Sequence, residues 1–277
     1  MRRLGTKRSP LAGARVWLIG ASSGIGAALA AELHRRGAHL AITARRAKHL
    51  DRVAAGTMIT AAADVTDPDA VATAARAVEQ ALGGLDIVIW CAGHWRQFDA
   101  TEWDPAEFAR HIQVNLLGLN NVLAAVLPTM VRDRHGHIVG VASVAGYRGL
   151  SGSEAYGATK AAQINLFESL RASLTRHGIW FTTVCPGFVR TPMTAGNTFP
   201  MPFLIEPEAA ARAIATGLER RRMEIIFPLP MAVLMMTARI LPVRAWAALS
   251  SRAGARPGSG ARSVAASPRS AGRRRQP

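Results

Sequence analysis

The sequence predicts a single α/β domain, and three observations carry that expectation. A short apolar run, Arg15-Val16-Trp17-Leu18-Ile19, leads directly into Gly20-Ala21-Ser22-Ser23-Gly24-Ile25-Gly26. An apolar, Ala-rich helical pattern follows (Ala27, Leu29, Ala30, Leu33) and closes near Gly37, so strand, turn and helix stand in succession. The length, 277 residues with 49% hydrophobic, suits one domain with a sizeable core.

The glycine-rich turn is the first functional signal. Where a strand enters a helix N-terminus, free backbone N–H groups and the helix dipole favour an anion. Glycines let the main chain turn tightly and approach a pyrophosphate. A second strand is expected at His39 to Ala44, ending in Arg45-Arg46. At this point of a nucleotide-binding sheet an acid accepts from a ribose 2′-OH, whereas Arg suits a 2′-phosphate. Met58 to Ala63 reads as the third strand and runs into Asp64-Val65; Asp67 reads as a helix N-cap ahead of Pro68. Leu85 to Ile89 reads as the fourth strand, ending at Trp90-Cys91-Ala92-Gly93. His137 to Ser143 is a fifth and ends in a hydroxyl; Trp180 to Val184 is a sixth, followed by Cys185-Pro186-Gly187.

The second signal is Tyr156-Gly157-Ala158-Thr159-Lys160. The chain has 2 Tyr, its only lysines are Lys7, Lys48 and Lys160, and every other Lys/Arg position is Arg. Positions i and i+4 share a helix face, so a phenol and an ammonium can address one bound molecule. Arg would replace that Lys poorly, because its planar fork differs in reach and hydration. Asn115 lies in an otherwise apolar stretch, where propensity disfavours it; it is either a functional amide or a satisfied buried one.

The G-x-x-x-G-x-G spacing of Gly20, Gly24 and Gly26 resembles the short-chain dehydrogenase/reductase family in its shorter form. The separation of 13 residues from Ser143 to Tyr156 is also that family's. The resemblance spans roughly residues 12–225 and implies a Rossmann-like, doubly wound, mostly parallel sheet with helices on both faces. It implies catalytic roles for Asn115, Ser143, Tyr156 and Lys160. Tyr156 would be general acid or base, with its pKa lowered by the Lys160 ammonium and the oxidised nicotinamide ring; Lys160 would also bond the nicotinamide ribose. Ser143 would hold the substrate oxygen, and Asn115 would complete a proton path through water. Cofactor contacts are implied for Gly20, Ser22, Ser23, Gly24, Ile25, Gly26, Asp64, Val65, Ala92, Gly93, Tyr156, Lys160, Pro186, Gly187, Val189 and Thr191. Ala44 stands where an acid would be, and Arg45 and Arg46 follow, so NADP(H) is expected over NAD(H). Trp90-Cys91 departs from the family's asparagines. No metal is expected.

The family reading implies an NADP(H)-dependent oxidoreductase that interconverts a small carbonyl and its alcohol. A non-catalytic NADP(H)-binding sensor or scaffold of the same fold is the alternative. Subunits would pair through the long helices around Asn115 and Tyr156, giving a homodimer or homotetramer.

A substrate loop is expected at about 190–206, with Met193, Phe199, Met201, Phe203 and Leu204; an apolar lid excludes water and prefers an apolar ligand. Trp95, Leu150 and Phe188 would extend the pocket, and core packing is their other reading. Arg96, Arg148 and Arg190 either recognise an anionic group or are surface charges. The segment 225–249 is strongly apolar but broken by Pro228, Pro230 and Pro242, too short to span a bilayer. It is expected as a helix capping the cleft, or one touching a membrane surface.

The net charge of +16 invites a nucleic-acid reading, but its distribution opposes one. Arg2, Arg3, Lys7, Arg8 and Arg15 at one end and seven arginines from Arg252 to Arg275 at the other carry most of it, without an acid. Residues 1–11 are therefore read as a basic extension, 12–250 as the domain, and 251–277 as a disordered basic tail. Arg2-Arg3 ahead of apolar residues mimics an export signal, but cleavage would remove the glycine turn. With Cys91 and Cys185 alone, no disulfide framework is suggested, and a cytoplasmic location is expected.

Overall fold

The computed structural model describes residues 11–254, with side chains to residue 250. The basic ends expected at 1–11 and 251–277 fall outside them, apart from Leu11 and the last helical turn. Leu11 is buried in the core rather than part of an extension.

Seven strands form one parallel sheet: β1 (Arg15–Ile19), β2 (His39–Thr43), β3 (Ile59–Thr60), β4 (Ile87–Trp90), β5 (Gly136–Val141), β6 (Ile179–Pro186) and β7 (Glu224–Phe227). Their order is β3-β2-β1-β4-β5-β6-β7. The order reverses between β1 and β4, and ligands of open α/β sheets bind outside the carboxyl ends there.

The strands are apolar on both faces because helices cover both. On one face Val16, Leu18, Ile42, Ile89, Val139 and Val184 meet α1 (Gly24–Arg35) and α7 (Pro207–Glu219). On the other, Trp17, Ile19, Val88, Trp90, Ile138 and Phe181 meet α3 (Pro68–Leu82), α5 (Gly118–Asp133) and α6 (Glu154–Leu174). Each large side chain so buried contributes about 1.5–3 kcal/mol relative to exposure. Helix α2 (Ala47–Ala54) follows β2. Helix α3 starts as its sequence indicates: Asp67 accepts from the N–H groups of Asp69 and Ala70 at 3.0 and 3.1 Å, ahead of Pro68.

Two elements differ from expectation. Asn115 lies in a π-helical turn, Gln113–Leu117, between α4 (Pro105–Ile112) and α5. The whole helical run Pro105–Asp133 has the length and apolarity to cross a membrane, yet its inward residues Leu119, Val122, Val126 and Met130 pack in the core. The apolar segment 225–249 is not one helix. It begins within β7, then forms α8 (Leu229–Ile240) and continues into α9 (Val243–Gly254). A short apolar run does not reveal whether it is strand or helix; pairing with β6 decides it here.

Strand β5 and helix α6 approach closely at Gly140. A Cβ there would run into the Phe167 ring. Gly140→Ala is expected to lower unfolding free energy by about 1–3 kcal/mol through overpacking, read from urea denaturation.

Candidate active site

A cleft of about 460 Å³ opens at the carboxyl ends of the strands. Its floor begins at the glycine turn between β1 and α1. Gly20 has φ +94°, and a Cβ there would collide with the Ala92 backbone, so only glycine lets the two strand ends approach this closely. Ser23 precedes α1 in extended conformation and makes no side-chain cap bond, which leaves the helix's first N–H groups facing the cleft. Arg45 and Arg46 line the same cleft; Arg46 reaches Ser22 Oγ at 3.4 Å, and Arg45 pairs with Asp64 at 3.7 Å.

Every sequence-implied cofactor position lines this cleft, from Gly20 through Ala92 and Gly93 to Pro186, Gly187, Val189 and Thr191. Ser143, Tyr156 and Lys160 line it too. Ser143 follows β5 and caps a short 3-10 turn, its Oγ accepting from Ala145 N–H at 3.1 Å. Tyr156 and Lys160 lie in the first two turns of α6.

Lys160 Nζ donates to the Val141 carbonyl at 2.9 Å and to Gln163 Oε1 at 3.0 Å, and stands 5.4 Å from the centre of the Tyr156 ring. Burial pushes the Lys160 pKa down to about 8. Burial pushes the Tyr156 phenol up to about 12, against a lowering hydrogen bond with Ser143. The two Lys160 bonds aim its protons at carbonyl oxygens. The other tyrosine, Tyr147, donates to Glu224 Oε1 at 2.6 Å.

Asn115 is buried behind the cleft wall and does not line it. Its Oδ1 accepts from His94 N–H at 2.7 Å, and its Nδ2 donates to His94 O at 3.0 Å and Thr159 Oγ1 at 2.9 Å. The amide braces the segment after Gly93 against α6. Its own carbonyl accepts from Gln163 Nε2 at 2.7 Å. Gln163, which the sequence reading missed, thus joins Lys160 to the π-helical turn. Its place three residues after Lys160 on one helix face was the available signal.

Aromatic side chains stand beside the phenol. The Trp95 ring meets Tyr156 edge-on at 5.1 Å and Phe199 at 6.4 Å, and Phe188 lies 6.0 Å from Phe199. Trp95 Nε1 donates to Asn197 Oδ1 at 2.9 Å, linking this wall to the 190–206 segment. Arg96, Arg148 and Arg190 do not converge on the cleft. Arg96 pairs with Glu107, Arg190 with Glu206, and Arg148 donates to the Ala238 carbonyl. Trp90, in place of the family's asparagine, is a fully buried core residue. Cys91 faces the cleft, as do Met193 and Thr194, which the sequence reading had not placed at the cofactor site.

His94, Glu107 and His111 bring donor atoms within 4.8 Å of one another, but they already satisfy each other. Glu107 accepts from His94 Nε2 at 2.5 Å. Arg96 N–H donates to His111 Nε2 at 3.3 Å, which leaves the proton on Nδ1 to bond the Glu107 carbonyl at 2.9 Å.

The model of the family described as short chain dehydrogenase matches residues 14–199. An uncharacterized oxidoreductase of Myxococcus xanthus is 41% identical over 229 residues, covering 80% of this chain and 90% of the relative. One from Staphylococcus epidermidis is 35% identical over 202 residues, 72% of this chain and 88% of the relative. The crystal structure of a short-chain dehydrogenase from Streptomyces avermitilis superposes with a TM-score of 0.75 at 27% identity, covering 87% of this chain and 97% of that one.

Asn115→Leu is expected to destabilise the fold by about 1–3 kcal/mol by leaving the His94 N–H unpaired. Faster amide exchange in residues 93–98 should accompany it, measured by hydrogen–deuterium exchange.

Proposed function

The chain belongs to the short-chain dehydrogenase family, and from that premise we propose that it is an NADP(H)-dependent reductase of small apolar carbonyl compounds, able to run in reverse on the alcohols. The observation that carries this reading is the shared cleft. One cavity joins an uncapped helix start, two arginines, and the Ser143–Tyr156–Lys160 constellation.

The residues fit the dinucleotide. Gly20 leaves room for a pyrophosphate, and α1 presents free N–H groups to it. No acid follows β2, while Arg45 and Arg46 offer cations suited to a 2′-phosphate. Bound NADPH supplies a hydride to the carbonyl carbon.

This chain's side chains manage the oxygen. With a pKa near 12, the Tyr156 phenol holds its proton at neutral pH and can deliver it to the developing alkoxide. Ser143, bonded to that phenol, supplies a second hydroxyl to steady the oxygen. Below about pH 8 Lys160 gives the site a positive charge that favours the phenolate left behind. Trp95, Phe188 and Phe199 exclude water from the transfer and select an apolar substrate. The exposed Leu117 in the π-helical turn supports pairing of subunits through the neighbouring long helices.

Turnover of a panel of aryl and alkyl ketones with NADPH and NADH tests the reading directly; NADPH bound tightly with no ketone reduced would sink it. Tyr156→Phe is expected to lose about 10²–10⁴-fold in kcat while fluorescence titration still shows NADPH binding. Arg45→Ala should weaken NADPH about tenfold and leave NADH unchanged. The reduction rate should fall as pH rises through about 8, because burial brings loss of the Lys160 proton down to that range.

A further inference from the structure

Helix α8 has an outer face of the wrong polarity for water. Its inner stripe, Met231, Met235 and Ala238, is buried; the two methionines pack against Ala142, Val144 and Cys185. The opposite stripe, Leu229, Val233, Met236 and Ile240, is apolar as well and faces out, with Ile240 81% exposed. Val243 extends it onto α9. A surface helix of a globular domain ordinarily carries polar residues there. Seven of the 13 large apolar side chains exposed among the described residues fall between Leu229 and Leu249.

The stripe is held in place. Arg148 donates to the carbonyls of Ala238 and Leu241, closing the end of α8, and Trp246 Nε1 donates to the Gly149 carbonyl at 3.0 Å. A defined apolar surface is thus presented outward.

Charge indicates the occupant. From residue 225 to 277 the sequence contains no Asp or Glu, and nine arginines. Of these, Arg239 has a partner on another element, Glu168, at 3.6 Å. A second copy of the chain on this face would bring Arg239 and Arg244 against their own counterparts, with no acid on α8 or α9 to pair them. An acidic lipid surface takes both features together: side chains enter the acyl boundary and arginines meet the headgroups. At 12 residues, about 18 Å long, α8 is too short to span and would lie in the plane. We propose that the outward face of α8 and early α9, with Arg239 and Arg244, is a docking surface for an anionic lipid bilayer.

Vesicle sedimentation of the full chain tests this independently of catalysis. The wild type is expected to sediment with phosphatidylcholine–phosphatidylserine vesicles, about tenfold less with phosphatidylcholine alone, and to be released as salt rises. The double variant Val233→Asp, Ile240→Asp, both exposed positions, should keep its circular dichroism and lose at least about tenfold of that binding. Wild-type protein left in the supernatant with both vesicles overturns the proposal. So does a double variant that binds as wild type does, since the arginines alone would then account for binding. Self-association that the variant abolishes, with no lipid uptake, would assign the face to a second copy instead.

Discussion

A buried ammonium organises the centre of this molecule. Lys160 holds a positive charge away from water, and two oxygens compensate it: the Val141 carbonyl at the end of β5 and the Gln163 amide one turn further along α6. Gln163 in turn binds the Asn115 carbonyl of the π-helical turn. Three elements that carry the site are thereby tied to one cation. An uncompensated buried charge is costly, so strand, helix and turn have little freedom to separate. The tight contact of Gly140 with Phe167 sets the same strand and helix close enough for the ammonium to reach.

The cleft lies where sheet order reverses, and its two ends are lined differently. At one end the main chain of the glycine turn and the start of α1 forms the wall. At the other, side chains on the end of β5 and the first turns of α6 form it. The aromatic wall of Trp95, Phe188 and Phe199 closes the second end and draws the 190–206 segment onto it. The Tyr156 phenol lies beside these walls, and burial raises its pKa.

Much of this was legible in the residues. Six strands could be read from short apolar runs. The Gly20–Gly26 spacing, the Ser143–Tyr156 separation and the Tyr156–Lys160 interval located the cleft, because helix starts and i,i+4 faces are local geometry. The illegible parts are those that depend on distant neighbours. Strand β7 was hidden in an apolar run that serves as strand or helix depending on what it pairs with. That the Asn115 amide binds the His94 main chain, from another segment, could not be read from the sequence. Arg96, Arg148 and Arg190 read either as anion ligands or as surface charges until their own acids and carbonyls came into reach.

Local order alone therefore determined the strand–turn–helix start, the pairing of phenol and ammonium on one helix face, and the family. Tertiary structure decided which charges are compensated, that the Asn115 amide lies behind the cleft wall and which way each pKa moves. Those properties follow from water exclusion and from partners tens of residues away in the chain, and no spacing in the sequence encodes either.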